Sequence, residues 1–315
     1  MTDSRTPDRA AIVRHRWRLA IPLALAVLLL GGYVVLWFQG ARIMRAEIAE
    51  WVAGETDEGR SATHGAIRIR GFPGTLRAEI DAPAWSDPGV WAWSAETLFV
   101  ITQPLNPRRL LLTPRGEQRL EHEGRTYDFR AGDLRVALAE GLFAVEAADL
   151  SAESGGQSLD LGAMRANWRE NEDGSAVLGL SLAQALYAEG GDEYWLPQLN
   201  AVLSEGVASD LGIDAFEGAI STSREAPPAF FAGEGRLAVG EDGYPEGRLD
   251  VTLRDADELA AVLIQSGALD RGRAGMATAL LGGFDDGEGG ARLPFVFVDG
   301  KAKLGPIPIG DLPRL

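Results

Sequence analysis

Residues 67–81 read IRIRGFPGTLRAEID, and in them apolar residues alternate with charged residues on both sides of a glycine–proline turn. A period of two places the apolar side chains on one face of a strand and the charged side chains on the other. The turn Gly71-Phe72-Pro73-Gly74 predicts that the two strands form a hairpin. Strands with one buried and one wet face are typical of antiparallel sheet.

The same alternation recurs further along the chain, in Leu134-Val136-Leu138 and in Leu249-Val251-Leu253. Asp-Gly pairs at 242–243 and 299–300 indicate two further hairpins. We therefore predict a mainly β, β-rich α+β fold, in which an N-terminal transmembrane helix is followed by a long antiparallel β-sheet domain with a few short packed helices.

Three short helices are predicted among the strands, at 195–205, from 255 onward and at 273–281. In the first, Leu199, Val202 and Leu203 have the spacing of one helical face. The second begins at Asp255, with Glu258 three residues later as in a capping box, and carries the apolar residues Leu259, Val262 and Leu263. We expect each of these helices to pack on the sheet.

Before the strands, residues 19–38 read LAIPLALAVLLLGGYVVLWF, without a charge. Twenty helical residues span about 30 Å, the thickness of the hydrocarbon core of a bilayer. Arginines in the basic tail 1–18 keep that end in the cytoplasm by the positive-inside rule, and Tyr33, Trp37 and Phe38 suit the far interface. We expect a single-pass inner-membrane protein with its N-terminus in the cytoplasm and its C-terminal domain in the periplasm.

A cleaved signal peptide and a buried core helix are the alternatives for this segment. The run exceeds the usual 7–15 apolar residues of a signal peptide, and 38–41 offers no small-x-small cleavage site. An uncleaved signal anchor is therefore preferred. The helix is expected to continue as a stalk over 39–54, because Met44, Ile48 and Trp51 form an apolar stripe and Gly54 is a natural stop.

Charge and composition limit the function of the remaining chain. The net charge is −16, and the residues before 39 carry +3, so the rest carries −19. Such a domain would be repelled by nucleic acid, and none is expected as a partner. Cysteine is absent, which excludes disulfides and thiolate chemistry. We expect one periplasmic β-rich domain over 55–315, or two similar lobes that divide near 221–228.

The residues give no sign of a catalytic constellation or of a cofactor. Past the N-terminal tail, the histidines are His64 and His122, and neither stands in a metal-ligand spacing or beside a G-x-S-x-G elbow. The acidic turns 171–174 and 285–288 resemble fragments of calcium loops, but neither completes an EF-hand pattern. We predict no catalytic residue, no metal site and no cofactor.

Aromatic residues supply the candidate ligand-binding positions. Trp91 and Trp93 are two apart and share a face of a strand, and Trp85 is close in sequence. The C-terminal strand 293–298 is apolar on both faces and contributes Phe295 and Phe297. These side chains suit an apolar or amphiphilic ligand, and packing into a core or an edge is the alternative.

Three short motifs in the chain resemble motifs of a known protein family. They are IRIRGFP at 67–73, QPLNP at 103–107 and DGKAKLGPIPI at 299–309. In this order, after an apolar helix, they resemble the bacterial domain-of-unknown-function family 2125. That resemblance implies a membrane-anchored envelope protein and no known activity. A weaker similarity, in texture alone, links the chain to the AsmA-like envelope proteins, which are implicated in lipid handling.

Three functions are compatible with these observations. The first is non-enzymatic binding of an apolar or amphiphilic ligand, such as a lipid, or of another envelope component. The second is a scaffold in an envelope complex, with a protein partner. The third is a cell-wall glycan hydrolase that uses two carboxylates beside the tryptophans. The sequence favours the first.

Overall fold

The computed structural model describes residues 9–205, 211–240, 242–267, 290–304 and 307–312. The described residues form two helices and seventeen strands. In chain order these are α1 Arg9–Asp57, β1 Ser61–Thr63, β2 Ile67–Arg70, β3 Leu76–Asp81, β4 Ala84–Asp87, β5 Trp91–Gln103, β6 Asn106–His122, β7 Arg125–Ala139, β8 Leu142–Ser154, β9 Gln157–Glu170, β10 Ala176–Glu189, β11 Asp192–Glu205, β12 Leu211–Ser221, β13 Ala229–Val239, β14 Pro245–Arg254, α2 Ala256–Gln265, β15 Gly290–Val298, β16 Lys301–Leu304 and β17 Ile307–Asp311.

The strands form one antiparallel sheet, which confirms the predicted mainly β fold. From β5 to β17 every strand pairs with the next strand in the chain, so the sheet is a long meander. At its start, β5 pairs with β3 along one half and with β4 along the other. The predicted hairpins at 71–74, 242–243 and 299–300 are all present.

The pairing register places apolar residues on one face of the sheet, which we call the apolar face. One row of directly opposed residues crosses twelve strands from β3 to β15 without a polar side chain. The row consists of Ala78, Val100, Leu112, Val136, Val145, Ala166, Leu180, Ala201, Phe216, Gly233, Val251 and Leu293. At about 4.8 Å between strands, it is roughly 50 Å long.

A line of irregular residues crosses the middle of the sheet. Gly132, Asp149, Gly162, Gln184 and Pro197 stand opposite one another, and the regular pairing is interrupted at each of them. Asp149 and Gln184 adopt positive φ, which is uncommon within strands. On the far side of this line the alternation of apolar residues is shifted by one position along each strand. On β8, for example, the apolar residue before the line is Ala147 and the one after it is Leu150, three residues later.

Helix α1 is a single helix of 49 residues whose second half lies against the sheet. The indole of Trp37 donates to the carbonyl of Thr75 at 2.9 Å. At Gly40 an added Cβ would lie 2.9 Å from Leu76 Cδ1, so glycine lets the helix approach β3 closely. The helix continues through Gly54 to Asp57, three residues beyond the predicted end of the stalk.

Helix α2 packs over the C-terminal part of the sheet. Leu259 contacts a buried cluster of Val251, Leu253, Ala291 and Leu293. The predicted capping box is wrong: Asp255 has a left-handed backbone and makes no side-chain cap.

The carboxylate of Glu258 does not reach back to its own helix. It accepts hydrogen bonds from the backbone and hydroxyl of Thr222, at 2.7 and 2.8 Å. Glu258 therefore attaches the helix to the segment that follows β12.

The predicted helix at 195–205 is also wrong, because these residues belong to strand β11. Leu199, Ala201 and Leu203 satisfy a period of two as well as Leu199, Val202 and Leu203 satisfy a helical one. Pairing with β10 and β12 on both sides decides the conformation. The predicted helix at 273–281 lies outside the described residues. Residues 221–228 connect β12 to β13, two paired strands of the same sheet.

Candidate functional site

The central part of the apolar face is open in the described part of the chain. Six consecutive members of the row, on β6 to β11, are each half-buried: Leu112, Val136, Val145, Ala166, Leu180 and Ala201. Helix α1 contacts the sheet near β1 and β3, whereas α2 contacts β12 and β13. The apolar surface between the two helices is thus partly accessible to a ligand.

The opposite face of the same strands is polar and charged. Its corresponding row contains Arg135, Glu146, Arg165, Ser181, Asn200 and Glu217. Arg165 pairs with Glu146 at 2.9 Å, and Ser181 donates to Asn200 at 2.8 Å. The polar groups of this face form hydrogen bonds within the sheet and with water. An apolar ligand would therefore bind to the other face.

Between α1 and the start of the sheet there is a cavity of about 670 Å³. The helix contributes Leu36, Ile43 and Trp51 to its wall, and the sheet contributes Val100 and Leu110. This volume lies within the range of small-molecule binding sites. The lining begins at Leu36, inside the apolar run 19–38, and passes onto the apolar face, so an apolar path leads from the N-terminal segment to the sheet.

The predicted tryptophans do share one side of the sheet. Trp85 and Trp93 are directly opposed on β4 and β5, and the ring centroids of Trp85 and Trp91 are 4.5 Å apart. Trp91 is 43 % exposed, whereas Trp85 and Trp93 are half-buried. The Trp85 indole donates to the Glu55 carboxylate at 2.7 Å, so this cluster lies against the C-terminal end of α1.

Glu55 is the acidic group that hydrogen-bonds to this cluster, and it also accepts hydrogen bonds from Arg60. Arg60 donates to it at 2.5 Å, and this contact, followed by the Trp85 indole, lowers the pKa of Glu55. A general acid in glycoside hydrolysis requires a raised pKa. The environment of Glu55 therefore stabilises a permanent carboxylate, which suits a structural role.

Phe295 and Phe297 lie on the apolar face at the other end of the sheet, on β15. Phe295 packs against the core cluster around Leu293, and both rings are half-buried. Helix α2 packs on this face. The second face of the strand, with Pro294 and Val296, is half-buried and stands beside Asp250 and Arg248. The structure therefore does not bring the phenylalanines and the tryptophans together, and both sets remain predictions as ligand contacts.

The remaining candidates make ordinary local contacts. His64 Nδ1 lies 2.7 Å from the carbonyl of Gly65, and His122 Nδ1 lies 3.1 Å from that of Val90. In the turn 171–174, Asp173 accepts from the backbone and hydroxyl of Ser175, so its carboxylate closes the turn. The turn 285–288 lies outside the described residues. Among the residues described, no group of three acidic or histidine side chains is arranged to hold a metal ion.

Sequence reasoning selected the aromatic residues and missed the aliphatic row. No single residue of that row is distinctive, since Val145 or Leu180 is a common strand residue. The signal is the register that aligns them, and it depends on the length of every hairpin. The cavity could not be predicted, because the apolar stripe of the stalk does not indicate which strand of the sheet it faces.

The model of the family described as "Uncharacterized protein conserved in bacteria (DUF2125)" matches residues 37–313. Comparisons with curated proteins and with solved structures gave no match.

Proposed function

The chain belongs to the uncharacterised bacterial family DUF2125, and on that premise we propose that it is a membrane-anchored envelope protein whose apolar face binds the acyl chains of lipids. The observation that carries the proposal is the row from Ala78 to Leu293, which is apolar across twelve strands and half-buried in its centre. The tryptophan cluster and Phe295 would contribute at its two ends.

Helix α1 is the proposed anchor. Its described part is long and apolar enough to cross a membrane. In its most apolar stretch of 18 residues, 6 % is buried. Leu23, Leu28 and Leu30 are exposed, which costs free energy in water and none in hydrocarbon. The arginines before residue 19 favour an inner-membrane orientation with a cytoplasmic N-terminus and a periplasmic sheet.

A lipid is favoured over a protein ligand by the position of the cavity. An acyl chain that leaves the bilayer beside α1 would meet Leu36 and Ile43 first, then Val100 and Leu110 on the sheet. The row continues for roughly 50 Å, longer than the hydrocarbon core of about 30 Å. Several chains could therefore lie along the face, and their headgroups would remain in water at its edges.

The proposal is tested by charges placed on either face of the same two strands. Leu182 and Leu199 are directly opposed on the apolar side, whereas Ala183 and Gln198, one residue away, are opposed on the charged face. We expect L182D/L199D to lose most of the lipid that co-purifies with the full-length protein, because buried carboxylates are strongly disfavoured in hydrocarbon. A183D/Q198D has the same added charge and should retain it.

Native mass spectrometry of the detergent-solubilised protein, followed by organic extraction, measures the bound lipid. Circular dichroism shows that both variants keep their strands. Equal lipid content in the two variants, or none in the parent protein, would contradict the proposal. A protein that carries no lipid but retains an envelope protein in a pull-down would favour the scaffold function.

A further inference from the structure

Two hairpin tips of the sheet lie beside the membrane segment of α1. The first is residues 70–77, the turn between β2 and β3 with the adjoining strand residues, and the second is residues 103–109, the turn between β5 and β6 with the adjoining strand residues. We call them the membrane-proximal tips. Tyr33 of α1 donates to the carbonyl of Pro73 in the first tip, and Trp37 stacks edge to face on Phe72 at 5.6 Å. Pro104 and Arg108 of the second tip line the cavity with Leu36.

These contacts reach into the apolar run of the helix. Tyr33 lies five residues before the end of the run at Phe38, which is about 7 Å along a helix axis. If residues 19–38 span the bilayer, the first tip overlaps the span by that distance. Interfacial elements bury their apolar side chains about 5–10 Å into the boundary between headgroups and acyl chains.

Each tip carries a large apolar side chain that is exposed. Leu105 is 77 % exposed and Phe72 is 50 % exposed. Leu105 is thus more exposed than Leu28 at 70 %, which lies in the middle of the membrane segment. Large exposed apolar side chains at two adjacent turns indicate a surface that contacts another molecule or a membrane.

The two tips are basic in a chain that is strongly acidic. Arg70 and Arg77 flank the first, Arg108 and Arg109 close the second, and neither tip contains an acidic residue. All four arginines are exposed. Three of the other described turns at this edge of the sheet are acidic, with Glu140, Asp173 and Asp242, and the β15–β16 turn has Asp299 beside Lys301.

We propose that the membrane-proximal tips bind the surface of the bilayer that contains α1. Phe72 and Leu105 insert among the acyl chains, and Arg70, Arg77, Arg108 and Arg109 bind the phosphates of anionic phospholipids. The acidic remainder of the sheet is repelled from the same surface. The sheet is thereby held upright, with the mouth of the cavity at the membrane.

This inference rests on the membrane placement of α1 in the proposed function, but it does not require that the apolar face binds lipid. A fluorescent label on the tip therefore gives a separate test. The chain contains no cysteine, so Leu105→Cys introduces a unique site in the full-length protein. Asp192→Cys, at the exposed start of β11 and at the opposite edge of the sheet, is the matched control.

Each variant is labelled with an environment-sensitive fluorophore and reconstituted into phosphatidylcholine vesicles with and without phosphatidylglycerol. We expect a label at 105 to be blue-shifted and quenched by lipids that carry a spin label on the acyl chain, and more so with phosphatidylglycerol. A label at 192 should not respond. Equal quenching at both positions would overturn the proposal, even if lipid still co-purifies with the protein.

The role of charge is tested on the Leu105→Cys background. Arg108→Gln with Arg109→Gln removes two tip charges, and Arg119→Gln with Arg130→Gln removes two exposed charges near the opposite edge. We expect the first pair to lower the ratio of inserted to exposed label by roughly tenfold or more in the anionic vesicles, and less in the neutral ones. Identical ratios for the two pairs would show that the arginines do not bind lipid phosphates.

Discussion

At the scale of single residues, Glu55 shows how the helix is attached to the sheet. Its carboxylate accepts hydrogen bonds from Arg60 and from the Trp85 indole, and both partners lower its pKa. A lowered pKa in the folded protein adds stability above the pKa of the unfolded chain, near 4.3. That contribution is lost as the pH falls through the lower, folded value.

Glu55→Gln is therefore expected to lower the melting temperature by a few degrees at pH 7, where the parent carboxylate is ionised and the amide cannot replace its charge. The difference between the two proteins should shrink as the pH falls below about 4.3. Circular dichroism melts of the full-length protein in detergent, from pH 7 to pH 3, measure it. A difference that stays constant with pH would mean that ionisation of Glu55 contributes nothing.

At the scale of elements, α2 illustrates what the sequence could and could not predict. The apolar spacing of Leu259 and Val262 predicted the helix, because local periodicity is enough to define an amphipathic face. The role of Glu258 could not be predicted, since its partner Thr222 is 36 residues away. Likewise, the spacing of Leu199 and Leu203 fits a helix or a strand, and two neighbouring strands decide between them.

If Glu258 holds α2 on the sheet, Glu258→Ala should loosen the helix without unfolding the strands. We expect amide hydrogens of 256–265 to exchange roughly tenfold faster, because the hydrogen bonds from Thr222 are lost. Asp257→Ala, one residue away and exposed, is the control. Hydrogen exchange with mass spectrometry measures both, and equal exchange in the two variants would contradict this role.

At the scale of the whole molecule, the sheet combines an apolar face, a charged face and one end that contacts the apolar run of α1. The alternation in residues such as 67–81 was enough to predict antiparallel strands, and the uncharged run 19–38 was enough to predict a long apolar N-terminal helix. The continuity of the apolar row could not be predicted, because a one-residue shift in any hairpin would break it. The five predicted aromatic positions remain predictions as ligand contacts, and none of them belongs to the centre of the row.

The most direct test of lipid binding is photocrosslinking in intact bacteria from two adjacent residues of β8. A photoreactive phenylalanine replaces Val145, in the centre of the apolar row, or Ala144, on the charged face; both are half-buried. Binding along the apolar face predicts lipid adducts of the full-length protein at 145 and none at 144, by mass spectrometry. Equal labelling at both positions, or adducts at 145 that contain protein and no lipid, would contradict it.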